Sequence, residues 1–436
     1  MDALEQMLGM LARLGEAQAK DLAQELGVSQ PTVSRLIGAA GDRVCRMGQT
    51  RATRYARTRA LPGIGTRLPI YRVHETGKVE PFEALHLLDG GRHWLSATDG
   101  RGTLFEGLPP FASDMSPQGY IGRTFSARNP ELELPSRLGD WSDDDRLIAL
   151  ARRGEDCVGH LILGEESLNR WLASTSEPTD RTAWPDLARR SAREQMGSSA
   201  GGEHPKFLTY SGGRHVLVKF VSDDEGAVAR RWRELLVCES LALEVVHVAG
   251  LDAARARWFD ERGFRFLEVE RFDRVGARGR RGVVSLEALD HEYLGDSGRG
   301  ASWTRVTPKL LEKKLIGPED ARRLRWLDVF GQLIGNTDRH FGNVSFLEQG
   351  AGTLRLAPAY DMLPMLFAPS GTTVVDRPFE PAPPSADTLD VWADAARHAH
   401  VFWTRVIECA ALGEELRALA QQCRTALEAL RERVPL

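Results

Sequence analysis

The sequence predicts an α+β chain of two lobes, the second mainly helical, preceded by a small winged helix-turn-helix domain. Three observations lead there. Residues 3–37 carry apolar side chains at helical spacing, broken by glycines into three short helices. Residues 215–274 hold an apolar strand, a long helical repeat and a second apolar strand in succession. Beyond residue 366, past a Pro-rich loop, the apolar positions recur at helical spacing. The division this implies is 1–60, 61–270 and 271–436, which suits a chain of 436 residues, long enough for roughly two to four domains.

In the first segment Leu4, Met7, Leu8, Leu11 and Leu14 line one helix, which Gly15 stops. A second helix is expected over Ala17–Leu26. Gly27 makes the turn, Ser29 is a natural N-cap, and Pro31 sits just inside a third helix reaching Ile37. A helix that follows such a turn enters the major groove of DNA by its N-terminal part. Gln30, Thr32, Ser34 and Arg35 would then face bases and phosphates. Arg43, Arg46, Arg51, Arg54, Arg57 and Arg59 follow with no acidic residue among them, the composition of a phosphate-neutralising wing. A helical bundle for protein contacts, with a solvated arginine face, is the competing reading. The net charge of -4 excludes a uniformly basic surface but not a local patch of this kind.

Composition bounds the setting. A hydrophobic fraction of 42% is enough to build real cores, so wholesale disorder is excluded. Five cysteines stand singly, without zinc or redox spacing, which fits a reducing compartment. The start Met1-Asp2-Ala3-Leu4-Glu5 has no basic leader, and no apolar run reaches the length of a membrane span. The expectation is a cytoplasmic protein with no membrane partner.

Residues 61–172 alternate short strand-like runs with turns. Leu68–Val73, Trp94–Ala97 and Cys157–Leu163 read as strands and Leu147–Leu150 as helix, with no constellation that carries chemistry. The next stretch, Gly197-Ser198-Ser199-Ala200-Gly201-Gly202, lets backbone N–H groups converge on an anion, as a phosphate-covering loop does. A flexible linker has the same composition. The strand His215–Phe220 then carries Lys219 among apolar residues, and the helix expected over Ala227–Val248 carries Glu239. Such a lysine reaches nucleotide phosphates when a helical glutamate fixes it.

Downstream, the apolar run Trp326–Ile334 predicts a buried helix that delivers Gly335-Asn336-Thr337-Asp338-Arg339-His340-Phe341-Gly342-Asn343 into a loop. Val344–Phe346 and Leu354–Leu356 predict a hairpin that returns Asp361 to the same place. Asp338, Asn343 and Asp361 are the acidic and amide groups of metal-dependent phosphoryl transfer: one orients a hydroxyl, two hold Mg²⁺. Turn chemistry alone also favours Asn, Asp and Gly. Glycine loop, strand lysine, helix glutamate, apolar strand Phe264–Arg274, Asp-x4-Asn and Asp is nevertheless the order of parts in a kinase, with that strand as its hinge.

The runs SSAGGEHPK, VLVKF, VERFDR, GNTDRHFGN and AYDMLP together resemble the HipA family of bacterial serine/threonine kinase toxins, from about Gly65 to the C terminus. The resemblance implies a two-lobed protein-kinase-like fold and the cofactors ATP and Mg²⁺. By the same resemblance Asp338 is the catalytic Asp, Asn343 and Asp361 are metal ligands, Lys219 binds phosphate, and Glu239 is its ion-pair partner. Glu270 and Phe272 fall where the family contacts adenine, and Ser199, Gly201 and Gly202 in its nucleotide loop. Ser198 aligns with the loop serine that autophosphorylation modifies to inactivate the enzyme. Ser199 is one residue away.

Typical members lack a DNA-binding domain and rely on a separate antitoxin, whereas this chain carries its own helix-turn-helix. It resembles the single-chain, YjjJ-like subgroup. The implied partners are a protein substrate, with translation factors and tRNA synthetases the class to test, and operator DNA. A homodimer would help the latter, since two-fold proteins pair their recognition helices about one turn of DNA apart. Two other readings use the same residues: a nucleotide-binding regulator that has lost turnover, and a small-molecule kinase. The presence of Lys219, Asp338, Asn343 and Asp361 together favours an enzyme over the first.

Overall fold

The computed structural model describes residues 2–49, 52–174, 177–195, 204–296, 298, 300–350, 352–375 and 377–434. They form two compact units, residues 1–117 with 129–175, and residues 118–128 with 176–436.

The first unit begins with α1 (Ala3–Leu14), β1 (Glu16–Ala17), α2 (Ala19–Leu26) and α3 (Gln30–Ala40). Gly27, at φ 66°, turns α2 into α3, and the Ser29 hydroxyl accepts from Thr32 N at 3.4 Å to cap the third helix. The second helix starts later than its apolar pattern suggests. Ala17 is instead in β1, paired with Tyr55, and Gln18 caps the helix.

β2 (Val44–Met47) and β3 (Arg54–Arg57) complete a winged helix-turn-helix, with sheet order β1-β3-β2. The wing sheet is covered on both faces. Val44 and Tyr55 join the helical core of Met7, Leu11, Leu22 and Val33, while Cys45, Met47 and Ala56 pack on Leu88, Trp94 and Leu104 of the following domain. The exit from β3 is held as firmly: Arg59 N donates to Leu87 O at 3.0 Å, and its guanidinium reaches Asp144 at 2.7 Å and His93 Nε2 at 3.3 Å.

That following domain is an antiparallel sheet of β4 (Arg67–Val73), β5 (Val79–Leu87), β6 (Arg92–Ala97), β7 (Gly102–Glu106) and β8 (Leu161–Leu163), in the order β7-β6-β5-β4-β8. α4 (Pro110–Met115) follows it. The chain then leaves this unit for α5 (Gly119–Arg128) and returns for α6 (Asp143–Arg153) and α7 (Glu165–Ala173). Leu147 and Leu150 of α6 bury against Leu68, Ile70, Leu85 and Leu87, and a Ser142–Asp145 capping box starts that helix. The strand expected over Cys157–Leu163 is only Leu161–Leu163, because Gly159 turns the chain at φ 80°.

In the second unit Tyr120 of α5 hydrogen-bonds Ser191 O at 3.0 Å, joining α5 to α8 (Trp184–Gln195). β9 (Lys206–Ser211), β10 (Arg214–Ser222), α9 (Ala227–Val248), β11 (Ala256–Glu261) and β12 (Phe264–Glu270) make the first lobe, an antiparallel sheet ordered β11-β12-β10-β9 with α9 against it. Trp184 seals the sheet's other face in an aromatic cluster with Phe207, Phe259 and Phe266.

The second lobe contains β13 (Arg274–Val275), β14 (Gly279–Arg280), β15 (Val283–Ser285), α10 (Leu286–Leu289), α11 (Trp303–Glu312), α12 (Pro318–Leu333), β16 (Ser345–Glu348), β17 (Leu354–Leu356), α13 (Leu389–Glu408) and α14 (Glu414–Arg433). α12 is buried nearly all round, with Leu324, Trp326, Leu327, Val329, Phe330 and Leu333 in the core, so it is the axis on which the other helices pack. The expected 344–356 hairpin is β16–β17. Among the described residues all five cysteines are free, and no helix is long and apolar enough to cross a membrane.

His86 on β5 supplies a pH test of the first unit. Burial, reinforced by Arg67, lowers its pKa to about 4 from the usual 6.5. The unfolded chain therefore binds the extra proton between those values, so stability is full above about pH 6.5 and falls as pH drops towards 4. Denaturant melts of the first unit should lose about 1 to 2 kcal/mol from pH 7 to 4.5, a figure reduced for solvent screening of the ring. His86→Gln should make that profile shallower, leaving the share from His93, whose pKa burial also lowers.

Candidate active site

Lys219 and Glu239 meet because β10 and α9 are packed face to face. Lys219 lies mid-strand, opposite Leu267 of β12 and Lys206 of β9, and only 8% of its side chain is exposed. Glu239 lies on the buried side of α9, with 1% exposed. The ammonium donates to both Glu239 oxygens, at 2.8 and 2.7 Å, and also to Asp361 Oδ1. Two anchors hold α9 in this position. Arg231 donates to Phe367 O at 3.2 Å, and the Glu234 carboxylate accepts from Gly413 N at 2.9 Å, capping α14.

Electrostatics follow from this burial. Desolvation opposes the Lys219 charge, but Asp361 and Glu239 outweigh it and the pKa rises. Burial likewise opposes the Asp361 carboxylate, yet Lys219 and Lys206 hold its pKa down at about 2. For Glu239 burial wins over the Lys219 attraction and its pKa is raised. Asp361 is thus an ionised carboxylate with 32% of its side chain exposed, available to an incoming ligand.

The loop after α12 brings the remaining groups. Asp338 N donates to Asn336 Oδ1 at 3.0 Å, an Asx turn, and Asn343 Nδ2 donates to Asp338 O at 2.8 Å with a longer 3.4 Å contact to Asp338 Oδ2. Asn336, 1% exposed, also donates to Asp361 O at 3.3 Å, which joins the two acidic loops. Asp361 adopts φ 51°, a left-handed conformation that Asp tolerates better than most residues. Tyr360 braces the same corner, its hydroxyl donating to Gly342 O at 2.8 Å and lying 2.8 Å from Ser345 Oγ. An open cavity of about 420 Å³ borders Asp338, lined by Thr337, Arg339, His340, Phe341 and Glu287.

The donors suit a hard cation. Asn343 spends its amide N–H on Asp338 and keeps Oδ1 as an acceptor, and Asp361 offers an ionised carboxylate, the oxygen set that Mg²⁺ takes together with phosphates and water. Among the described residues no cluster of three or more His, Cys, Asp or Glu forms a self-sufficient metal cage.

Glu270 ends β12 and Phe272 follows two residues later. The Glu270 carboxylate pairs with Arg214 at 3.0 Å and its N–H with Arg255 O at 2.9 Å, while the Phe272 ring lies 5.7 Å from Tyr360. Ser198, Ser199, Gly201, Gly202 and Arg51 lie outside the described residues. His340 accepts from Gly342 N at 3.0 Å through Nδ1, and its carbonyl accepts from Trp303 Nε1 at 3.1 Å, so it shapes the loop. Sequence reasoning passed over Lys206 and Asn336. The signal for Lys206 was its place across the hairpin from Lys219, and for Asn336 its Asx spacing to Asp338.

At the N-terminal domain Gln30, Ser34 and Arg35 are exposed on the first turns of α3. Thr32 is half-buried, and Arg35 donates to its hydroxyl at 3.2 Å. The wing arginines differ from one another. Arg54 is ion-paired to Glu16, Arg43 to Glu5 at 2.9 Å and Arg57 to Asp89 at 3.4 Å. Arg46 is exposed with no acidic partner among the described residues.

Fold and site together define a two-lobed kinase-like protein with a winged helix-turn-helix at its N terminus. The profile of the HipA-like C-terminal domain matches residues 198–433, and that of the YjjJ-like toxin middle domain matches residues 64–172. The chain belongs to the HipA-like toxin family. It is 36% identical to Toxin YjjJ of Escherichia coli (strain K12) over 434 residues, 96% of this chain and 97% of that one. In fold it is similar to the HipA toxin of Shewanella oneidensis MR-1, solved with HipB and its operator DNA. The TM-score is 0.56 at 17% identity, over 84% of this chain and 97% of that one. The Helicobacter pylori proinflammatory kinase CtkA superposes at TM-score 0.39 and 15% identity, over 54% of this chain and 90% of that one.

Removing the central cation should unbalance the site. Lys219→Met leaves the buried Glu239 carboxylate facing the part-exposed Asp361 with no cation between them and should destabilise the second unit by about 3 kcal/mol in denaturant melts. Adding Glu239→Gln should recover part of that loss.

Proposed function

We propose that the protein is an ATP- and Mg²⁺-dependent serine/threonine protein kinase of the HipA-like toxin type that carries its own DNA-binding domain. The observation that carries the reading is the meeting of Lys219, Glu239 and Asp361 in one buried ion cluster, tied through Asn336 to Asp338 and Asn343. Lys219, kept charged by its carboxylates, binds the nucleotide phosphates, for which it is released from Asp361 while Glu239 retains it. Asn343 and Asp361 hold Mg²⁺. When bound, the ion supplies charge neutralisation on the phosphate oxygens.

Asp338 orients the substrate hydroxyl and receives its proton as the hydroxyl oxygen bonds to the γ-phosphorus and the bond to the ADP oxygen breaks. The open cavity beside Asp338 gives a protein segment access to that carboxylate. Glu270 and Phe272 flank the adenine, and Ser199, Gly201 and Gly202 cover the phosphates. Autophosphorylation at Ser198 regulates the enzyme. Translation factors and tRNA synthetases are the first substrates to test.

Asp338→Asn should abolish transfer of γ-phosphate to the protein itself and to any substrate, while the nucleotide Kd stays within about threefold. Continued labelling by this variant would defeat the assignment. Mass spectrometry of the wild type after ATP should find a phosphoserine in residues 197–203, a modification that a small-molecule kinase would lack.

The N-terminal domain binds operator DNA through Gln30, Thr32, Ser34 and Arg35 on α3, with Arg46, Arg51 and Arg54 on the phosphates. Acidic pairing grades the arginines. Arg46→Ala should weaken binding across sequences and reduce the salt slope by about 1. Arg54→Ala should do less, because Glu16 already neutralises it. A fluorescence-anisotropy salt series compares the two.

A further inference from the structure

Asp328 is a carboxylate buried to 7% exposure in the middle of α12, one helical turn and a half before the acidic loop and out of reach of any nucleotide group assigned above. It is fully used. One oxygen accepts from Arg339 Nε at 2.9 Å, and the other accepts from Thr304 N at 3.0 Å in the first turn of α11, where a carboxylate also meets the positive end of the helix. Arg339 in turn donates to the carbonyl of Asn336. Asn336 accepts from Asp338 N and donates to Asp361 O. The order of contacts is therefore Asp328, Arg339, Asn336, and then both acidic loops.

Gly331 gives an independent indication. It sits inside α12, where glycine costs about 1 kcal/mol relative to alanine. A Cβ there would lie 2.6 Å from Arg339 Cδ, so the missing side chain is the space through which Arg339 runs along the helix to reach Asp328.

We infer that Asp328, Arg339 and Asn336 form a positioning relay that fixes the Asp338 loop and the Asp361 loop against each other, with Gly331 as its channel. Asp328 and Asn336 lie outside the cavity beside Asp338, and Arg339, which borders it, spends its guanidinium on Asp328 and on the Asn336 carbonyl. Asp338 follows Asn336 by two residues and Asp361 is in a left-handed conformation, so both would settle differently once Asn336 was released. The catalytic part of this inference rests on the kinase reading above, whereas the mechanical part does not.

The test compares wild type with Asp328→Asn, Arg339→Gln, the double variant and Gly331→Ala, by phosphoryl-transfer kinetics and by amide hydrogen exchange. Each single variant should lower kcat by about 10- to 100-fold, the scale of a small misplacement of reacting groups, with KM for ATP within about twofold. The double variant should be no slower than the slower single variant, within about twofold, because both changes break one line of contacts. Exchange in residues 336–343 should quicken in all four variants, Gly331→Ala included, although it alters no charged group. Rate losses that multiply in the double variant, KM rising in step with the loss of kcat, or unchanged exchange would each overturn the relay. If wild type transfers no phosphate, the kinase reading fails and exchange alone decides: quickened exchange supports the relay and unchanged exchange removes it.

Discussion

A single ammonium group organises the second unit. Lys219 is buried between Glu239 and Asp361, so a strand, a helix and a loop from three parts of the chain are bound to one charge. Each carboxylate would be costly to bury alone, and so would the lysine. Together they satisfy one another, which makes the position of α9 a condition of the position of Asp361. Arg231 and Glu234 tie the N-terminal turns of the helix to Phe367 and Gly413, so its placement does not rest on the ion cluster alone.

A second consequence concerns α12. Its C-terminal half is buried almost all round, and the acidic loop leaves directly from its end. Catalytic groups that must hold their geometry are best supported by such an element, with contacts that return to it. Asp328 provides that return. The aromatic residues serve the same end: Trp303 bonds the His340 carbonyl and Trp403 bonds Leu333 O at 3.1 Å, so two indoles fix the loop's surroundings.

Much of this was legible in the chain. Helical spacing located α9, α12, α13 and α14, and short apolar runs located β4, β6 and β10, because those elements bury one continuous apolar pattern. The order of lysine, glutamate and acidic loop marked residues that the fold brings together. What escaped was whatever depends on pairing through space. Lys206 acquires its place only when β9 registers against β10, and Asn336 looks like any turn asparagine until its second hydrogen bond to Asp361 O is seen. The wing arginines read as uniformly basic because their acidic partners Glu5, Glu16 and Asp89 lie elsewhere in the sequence. Cys45 and Met47 did carry a signal: a free wing has little use for buried apolar residues on the face turned from its helices.

That two-sided wing has a mechanical meaning. With Cys45, Met47 and Ala56 pressed on Leu88, Trp94 and Leu104, and Arg59 bonded on three sides, the N-terminal domain has no slack hinge behind it. Cutting the chain after β3 to isolate the head would strip a cover from those apolar side chains and leave a sticky fragment. The head and the five-stranded sheet therefore travel as one piece, and grafting the head onto another protein means taking both.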